Sequence, residues 1–392
     1  MPDSVVLAGA RTPIGKLSGA LGARRASELG AVAIAEALHR AGVAPDAVDY
    51  VVMGQVLQAG QGQNPARQAA IAAGIPMSVP AATLNKVCLS GLNAIQHARL
   101  LIAAGEADVV VAGGMESMTN APHLLAAGRR GLRFGSGELE DAIMADGLTC
   151  AFGHQSMGAA TEQDAAAAGI GRERQDAIAL ASHERAAAAQ KEGRLAEEIV
   201  PVHLEGRAGT VEVRDDEGIR PDTTLASLAA LKPAFAAGGS ITAGNASQIS
   251  DGAAALVVAS TDAAARLGVQ PLAELLAYGQ VAGPDTSLLT QPSRAVRAAL
   301  GRAGMTLAQV DLFEINEAFA AVSAASIADL GVPDDVVNVN GGAIALGHPI
   351  GMSGARLALT LAYELRRRGG GVGAAALCGG GGQGDALLLR VA

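Results

Sequence analysis

Three cysteines in 392 residues are few enough to ask what each one does. Cys88 stands in "NKVCLSGLNAI" (85–95), just ahead of a Ser-Gly step and an apolar helical pattern. A sulfur at a helix N-terminus feels the macrodipole and unpaired N–H groups, which favour the thiolate and are expected to hold its pKa below the free value of about 8.5. Cys378 ends the strand-like "VGAAALC" and opens a run of four glycines, whose backbone N–H groups can stabilise an oxyanion. Cys150, in "DGLTCAFG", has no such setting and reads as a small buried hydrophobe. His348 lies in Gly-His-Pro within "GGAIALGHPIG" (341–351), a turn that cannot continue as helix. A Cys–His pair is a route to an activated nucleophile. Asn316 and Glu317 follow the strand-like "DLFEI"; Asn316 is either an exposed helix cap or an oriented polar donor.

Something must bring residues so far apart in the chain together. The N-terminal third alternates strand and helix signals. "SVVLAGA" reads as a buried strand; a helix capped by Ser27 runs to Ala41 and ends at Gly42. "DYVVMGQV" is a second strand, Pro65 opens a helix that stops at Gly74, and Leu89, Leu92, Ile95 and Ile102 share one helical face up to Gly105. This alternation predicts a parallel-rich sheet covered by helices. The C-terminal third repeats the plan. "ALHRAGVAPDAVD" (37–49) aligns without gaps to "ALGRAGMTLAQVD" (299–311), and "LSGLNAI" (89–95) answers "MSGARLA" (352–358). Matches in order at nearly one offset predict an internal duplication. Two α/β halves, 1–117 and 251–392, then flank an inserted loop domain, 118–250, with the stretch about 251–270 free to pack with the first half. The register sets Cys88 opposite Gly351, three residues beyond His348, so halves packed face to face bring sulfur and imidazole together.

Composition narrows the function. A formal charge of −9 argues against nucleic acid, whose backbone demands a basic surface. Half the residues are hydrophobic but only 2 % are aromatic, which suits a dense layered core. No apolar stretch is read as reaching the roughly 20 residues of a membrane span, so a soluble cytoplasmic protein is expected. Three cysteines without close pairing exclude a disulfide scaffold and a Cys-x-x-Cys metal site. Gly379, Gly381 and Gly384 match G-x-G-x-x-G in form only, because "DALLLRVA" reads as a strand where a dinucleotide site needs a helix.

With these residues in hand, the chain resembles the thiolase family, most closely its acetyl-CoA-condensing branch. "NKVCLSGLNAI", "NEAFA", "GGAIALGHPIGMSGAR" and "CGGGGQG" are similar to the family's nucleophile, Asn-Glu, histidine and second-cysteine motifs, in family order along the whole chain. The resemblance implies a duplicated α/β core with mixed sheets layered between helices, plus a coenzyme-binding loop domain. It implies that Cys88 carries an acyl group taken from acyl-CoA, and that His348 accepts the thiol proton. With Asn316 positioning a water, His348 would also stabilise the enolate oxygen, while Cys378 exchanges the α-proton of a second acetyl-CoA. The backbone N–H groups of Cys88 and Gly380 would form the other oxyanion hole. "SITAGNASQISDGAA" and "IRPDTTLASLAALKPAF" resemble the coenzyme-binding stretches, assigning Arg220, Ser227, Phe235, Ala243 and Ser247 to CoA. Met157, Phe319 and Leu89 are expected in the acyl pocket. Leu89 stands where many relatives have a small residue, and Ser156 where biosynthetic ones carry histidine. The implied reaction is Claisen condensation of two acetyl-CoA and its thiolytic reverse. Alternatives are a 3-ketoacyl-CoA thiolase of β-oxidation, 3-oxoadipyl-CoA cleavage, or a non-catalytic lipid-binding relative. CoA thioesters are then the substrates, with no permanently bound cofactor, no metal, no membrane or nucleic-acid partner, and a homodimer or homotetramer as the assembly.

Overall fold

The computed structural model describes residues 4–206 and 209–392. The chain opens with β1 (Ser4–Arg11), a short β2 (Gly15–Lys16), α1 (Ala26–Ala41), β3 (Tyr50–Gly54), α2 (Pro65–Ala72), β4 (Ala81–Leu84), α3 (Ser90–Ala104) and β5 (Val109–Ser117). An excursion follows, with β6 (His123–Leu124) paired to β7 (Glu140–Asp141), then α4 (Met157–Ala167) and α5 (Arg172–Lys191). It closes with β8 (Val202–Gly206) paired to β9 (Gly209–Val213), and the short α6 (Leu225–Ala229). The core resumes with β10 (Ser250–Ser260), α7 (Thr261–Leu267), β11 (Ala273–Ala282), α8 (Gln291–Ala303), β12 (Leu312–Ile315), α9 (Ala320–Leu330) and α10 (Ala343–Leu346). It ends on α11 (Ser353–Arg367), β13 (Gly371–Gly379) and β14 (Gln383–Val391).

The core strands run in the order β12-β13-β14-β11-β1-β10-β5-β3-β4, with β2 beside β10. The duplication is visible in the pairing. In the first half β3 pairs parallel with β4 and β5, and β10 pairs antiparallel with β5 and β1. In the second half β12 pairs parallel with β13 and bridges Val337 in parallel, while β14 pairs antiparallel with β13 and β11. Order and direction agree strand for strand. The two halves join where β1 meets β11 over a two-residue register, Val5 and Val6 against Glu274 and Ala273.

The sheet is mixed, and antiparallel pairs outnumber parallel ones, so the parallel-rich expectation is corrected. The reason is the last pair of strands in each half, which enter from a long excursion or a tight hairpin rather than from a crossover helix. Strand β10 lies between β1 and β5, so the stretch at the 251–270 boundary belongs with the first half and the second repeat starts at β11.

Helices α3 and α11 hold equivalent places in the two repeats, and their residues share one core cluster with β5, β13 and β14. Their first turns touch through glycine. A Cβ on Gly91 would lie 2.8 Å from the Gly351 carbonyl oxygen, and one on Gly354 would lie 2.4 Å from the Leu92 nitrogen. Only glycine at both Ser-Gly steps lets the helix mouths meet. The stretch Val87–Ala104, with mean hydropathy 1.2, is long and apolar enough to pass for a membrane span, contrary to the sequence reading; here it is the core helix α3. Helix α1 begins at Ala26 rather than at a Ser27 cap, because the Glu28 carboxylate reaches back to the Arg25 N–H at 2.8 Å and leaves Ser27 buried inside the first turn. The loop domain is seated on the sheet by Arg11. Its fully buried guanidinium pairs with Glu198 at 2.6 Å and Asp216 at 2.7 and 2.9 Å.

Candidate active site

Cys88 sits immediately before the first turn of α3, after a residue that chain geometry dislikes. Val87 has φ 50°, a left-handed conformation that a β-branched side chain rarely adopts. The Ser90 hydroxyl holds this bend, accepting the Lys86 N–H at 2.8 Å and donating to the Val87 carbonyl at 2.6 Å. Lys86 is tied across the molecule: its ammonium meets both oxygens of the buried Asp385 at 2.8 Å, and Tyr278 donates to the same carboxylate at 2.7 Å. Asp385 pairs with Leu377 on β13, next to Cys378. One ion pair thus connects the Cys88 bend to β14, the strand hairpinned to the one that carries the second sulfur.

Cys378 ends β13, and the hairpin into β14 turns through Gly381 (φ 80°) and Gly382 (φ 68°), positions that glycine fills without strain. His348 is delivered by Gly347, whose φ of 112° and contact with Ser250 leave no room for a side chain. The His348 N–H donates to the Gln248 carbonyl at 3.1 Å. Its Nδ1 lies 2.5 Å from the Ser353 hydroxyl, which donates in turn to the Pro349 carbonyl at 2.9 Å. A hydroxyl has one proton, and here it is committed to Pro349, so Nδ1 carries the ring proton and Nε2 is the free base. Asn316 aims its Nδ2 at that Nε2 from 3.5 Å, and its buried Oδ1 has no partner among the described residues. Glu317 does not face the site; it accepts from Ser182 at 2.6 Å, Asn338 at 2.9 Å and the Ile344 N–H at 3.1 Å, bracing the approach to His348.

Cys88, His348 and Cys378 line one small chamber of about 50 Å³, walled by Gly147, Leu148, Met157, Leu288, Phe319 and Ile350. The chamber continues into a cleft of about 480 Å³ bordered by Arg220, Phe235, Ala243, Ser247 and Gln248. Phe235 packs edge-on to Phe319, with ring centroids 6.0 Å apart, and fits there because α4 presents Gly158 beneath it. Ser156, which the resemblance marks as a departure, caps α4 and borders the cleft.

Two expected site residues lie elsewhere. Leu89 is fully buried under Gly379 in the core and does not reach the chamber, because the chain has turned inward at the start of α3. Ser227 is exposed and committed to capping α6, bonding Thr224 at 2.8 Å, and does not border the cleft. The chamber-lining Leu148, Leu288 and Ile350 were not singled out in the sequence, nor were Lys86 and Ser353. Ser353 had a readable signal, since it is the repeat partner of Ser90.

The electrostatics also correct the expectation of a resting thiolate. Cys88 is partly exposed and lines the chamber. Desolvation pushes its thiol up to about 12, despite N–H donation from Cys88 and Gly380, and the charge of Glu116 adds to the rise. Cys378 is pushed higher still by burial and by the neighbouring Cys88. Burial, with Arg356 nearby, holds His348 down to about 4. Desolvation outweighs the helix terminus, so both sulfurs rest as thiols beside a neutral imidazole.

The arrangement agrees with the comparisons. The family model "Thiolase, N-terminal domain" matches residues 4–262, and "Thiolase, C-terminal domain" matches residues 269–391. A probable acetyl-CoA acetyltransferase of Mycobacterium tuberculosis (strain ATCC 25618 / H37Rv) is 58% identical over 391 residues, covering 100% of both chains. An acetyl-CoA acetyltransferase of Cupriavidus necator is 50% identical over 392 residues, again covering 100% of both. Among solved structures, the Bacillus anthracis acetyl-CoA acetyltransferase superposes with a TM-score of 0.98 at 41% identity, covering 100% of this chain and 99% of that one.

Proposed function

The chain belongs to the thiolase family, and we propose that it is an acetyl-CoA C-acetyltransferase, joining two acetyl-CoA into acetoacetyl-CoA and CoA and catalysing the reverse thiolysis, with the acetyl group carried on Cys88. The observation that carries this reading is the convergence of two thiols, a free imidazole Nε2 and the N–H groups of Cys88 and Gly380 on one chamber of about 50 Å³. A water needs roughly 10–15 Å³ of such space, so the chamber is on the scale of a small acyl group.

The resting protonation states dictate a sequence that balances. The Cys88 sulfur attacks the thioester carbonyl while its proton passes to His348 Nε2, and the tetrahedral oxyanion takes the N–H groups of Cys88 and Gly380. CoA leaves with the proton of the Cys378 thiol. The site now holds acetyl-Cys88, a Cys378 thiolate and an imidazolium whose Nε2–H can donate. The second acetyl-CoA loses its α-proton to Cys378, and its enolate oxygen is held by His348 Nε2–H, with Asn316 beside it. The enolate carbon attacks the acetyl carbonyl, the C–S bond to Cys88 breaks, and the departing sulfur recovers its proton from His348. Ser353 accepts from Nδ1–H in every state, so no tautomer change is required.

The reaction closes on protein groups alone, so no permanently bound cofactor or metal is part of the proposal; CoA thioesters are substrates. Arg220, exposed at the cleft mouth, suits the anionic end of CoA, while Phe235, Ala243 and Ser247 line the path of its arm. A cytoplasmic location, a role in fatty-acid metabolism and a homodimer or homotetramer complete the reading, by family analogy.

The test is a mass spectrum of the enzyme after brief exposure to acetyl-CoA, with peptide mapping, followed by a thiolysis series over 3-ketoacyl chain lengths. Acetyl on Cys88 and a preference for acetoacetyl-CoA are expected. Acetyl elsewhere, or a preference for longer chains, would overturn the mechanism or the substrate respectively.

A further inference from the structure

The duplication provides a second helix mouth, and a carboxylate occupies it. Gly351 holds in the second repeat the place that Cys88 holds in the first. Its N–H donates to Glu116 Oε2 at 3.0 Å. The same oxygen accepts the Val56 N–H at 3.0 Å, and Oε1 accepts the Leu57 N–H at 3.1 Å. Glu116 is the next-to-last residue of strand β5, after an apolar run from Val109 to Met115, and is fully buried. Three N–H donors face it, an arrangement suited to the ionised form. Burial nonetheless lifts the carboxyl to about 7, with Asp251 on β10 adding to the rise and the three N–H donors opposing it.

What the carboxylate grips is the frame of the chamber. Gly351 follows His348 by three residues and is wedged against the first half, where a Cβ would meet Gln55, Met115 and Gly54 at 2.9 to 3.0 Å. Val56 and Leu57 cluster with Ile350, the chamber wall between His348 and Gly351. Neither loop has another charged group holding it to the other at this point among the described residues.

We propose that Glu116 is a positioning residue for the reaction, its carboxylate locking the loop of residues 55–57 to the His348–Gly351 turn and so fixing the imidazole relative to Cys88. This deepens the functional reading above and rests on it. Glu116 touches no reacting atom; it acts through the placement of His348, and its charge, which also bears on Cys88, is kept in Glu116→Asp.

The test uses the full-length enzyme with Glu116→Gln, which keeps the shape but turns one of the two oxygens into a donor facing N–H groups. Glu116→Asp keeps the charge on a side chain too short to span both loops, and carries the same measurements if the first variant is poorly soluble. Active sites are counted by acetyl incorporation at Cys88 after long incubation, so kcat is expressed per acylatable site. The expected result is a kcat per site lower by about 10–100-fold, the usual loss when a residue orienting a reactive group is changed, with KM for acetyl-CoA within about twofold. A kcat per site within twofold of the parent enzyme, or a loss confined to KM, overturns the proposal, since a merely structural role lowers the number of competent sites and not their rate. If the parent enzyme itself forms no acetyl-Cys88, the functional reading has failed instead.

Discussion

The chemical form of Cys88 at rest is open to direct measurement through its rate of alkylation. With the thiol at about 12 and the imidazole at about 4, passing the proton from sulfur to Nε2 is uphill by about 11 kcal/mol before the new charges attract. That attraction returns about 4 kcal/mol at contact distance near a protein interior of effective dielectric about 20. The ion pair therefore lies about 7 kcal/mol above the neutral pair, a population on the order of one in 10⁵. Such a gap leaves room for turnover, because typical kcat values of 1–10³ s⁻¹ correspond to barriers of about 13–17 kcal/mol. The sign for pH follows. Iodoacetamide reacts with the thiolate, whose fraction rises about tenfold per pH unit below the pKa, so the second-order rate at Cys88 should climb log-linearly from about pH 6 to about pH 10. An unshifted thiol at 9.0 would be about a thousandfold more ionised at pH 8 and would level off above 9. The assay is stopped-time alkylation with peptide mapping, which also separates Cys88, open to the chamber, from the buried Cys150. A plateau at or below about pH 8, the mark of a preformed thiolate–imidazolium pair, refutes the desolvation argument.

Cys378→Ser should still acquire acetyl on Cys88, with solvent protonating the leaving CoA, while deuterium exchange at the acetyl methyl and condensation fall by about 10²–10⁴-fold; undiminished exchange would mean that another group is the base. Ser353→Ala removes the hydrogen-bond partner of His348 Nδ1, and kcat should drop about 10–100-fold with KM nearly unchanged. Leu148→Ala enlarges the chamber wall; thiolysis of a six-carbon 3-ketoacyl-CoA relative to acetoacetyl-CoA should then improve by about 10-fold or more, within the 1–3 kcal/mol that pocket shape can discriminate. Asp385→Asn leaves the Lys86 ammonium half-buried without its counter-charge and should lower stability by about 3–5 kcal/mol in urea melts. The double variant with Lys86→Met should recover part of that loss, and strict additivity would show that the two side chains are not coupled.

Much of the fold was legible because the duplication was written in unbroken stretches. The 37–49 and 299–311 match carries α1 into β3 and α8 into β12, and the two Ser-Gly steps mark the equivalent starts of α3 and α11. Strand direction was less legible, because β10 arrives only after the long excursion and periodicity says nothing about which neighbour it chooses. His348 and Cys378 stood out because a reactive side chain beside glycines is an unusual local combination, Cys88 because it precedes a Ser-Gly step at a helix start, and Asn316 because it follows a strand end. Leu148, Leu288 and Ile350 look like any other apolar residue until the fold brings three separate segments to one wall. Leu89 misled for the complementary reason, since adjacency in sequence to Cys88 does not survive the turn at Val87. The thiol's charge state was misjudged because helix termini can be read from sequence and desolvation cannot.

The two repeats build one site because they diverged at matching places. Strand register and the repeat offset set Cys88 against Gly351, Met115 against Cys378, Asn85 against His348 and Gly54 against Asn316. The first repeat contributes the sulfur that must lie at a helix mouth, where backbone N–H groups await an oxyanion. The second contributes the base, the amide and the second sulfur, all of which must face that mouth from across the interface between α3 and α11. A single copy of the fold can hold only one of these sets at a strand end and a helix start, whereas two copies packed mouth to mouth hold both at close range. The mirror location, emptied of chemistry by Gly54, Met115 and Gly351, is closed by the Glu116 carboxylate. On this view Gly351→Cys would gain no partner imidazole, because Asn85 stands where the histidine would be, and its Cβ would press on the backbone of Gln55, Met115 and Gly54 at 2.9 to 3.0 Å. The variant should melt at lower urea than the parent, and its new thiol should never carry acetyl, so acetyl found at position 351 would refute the argument.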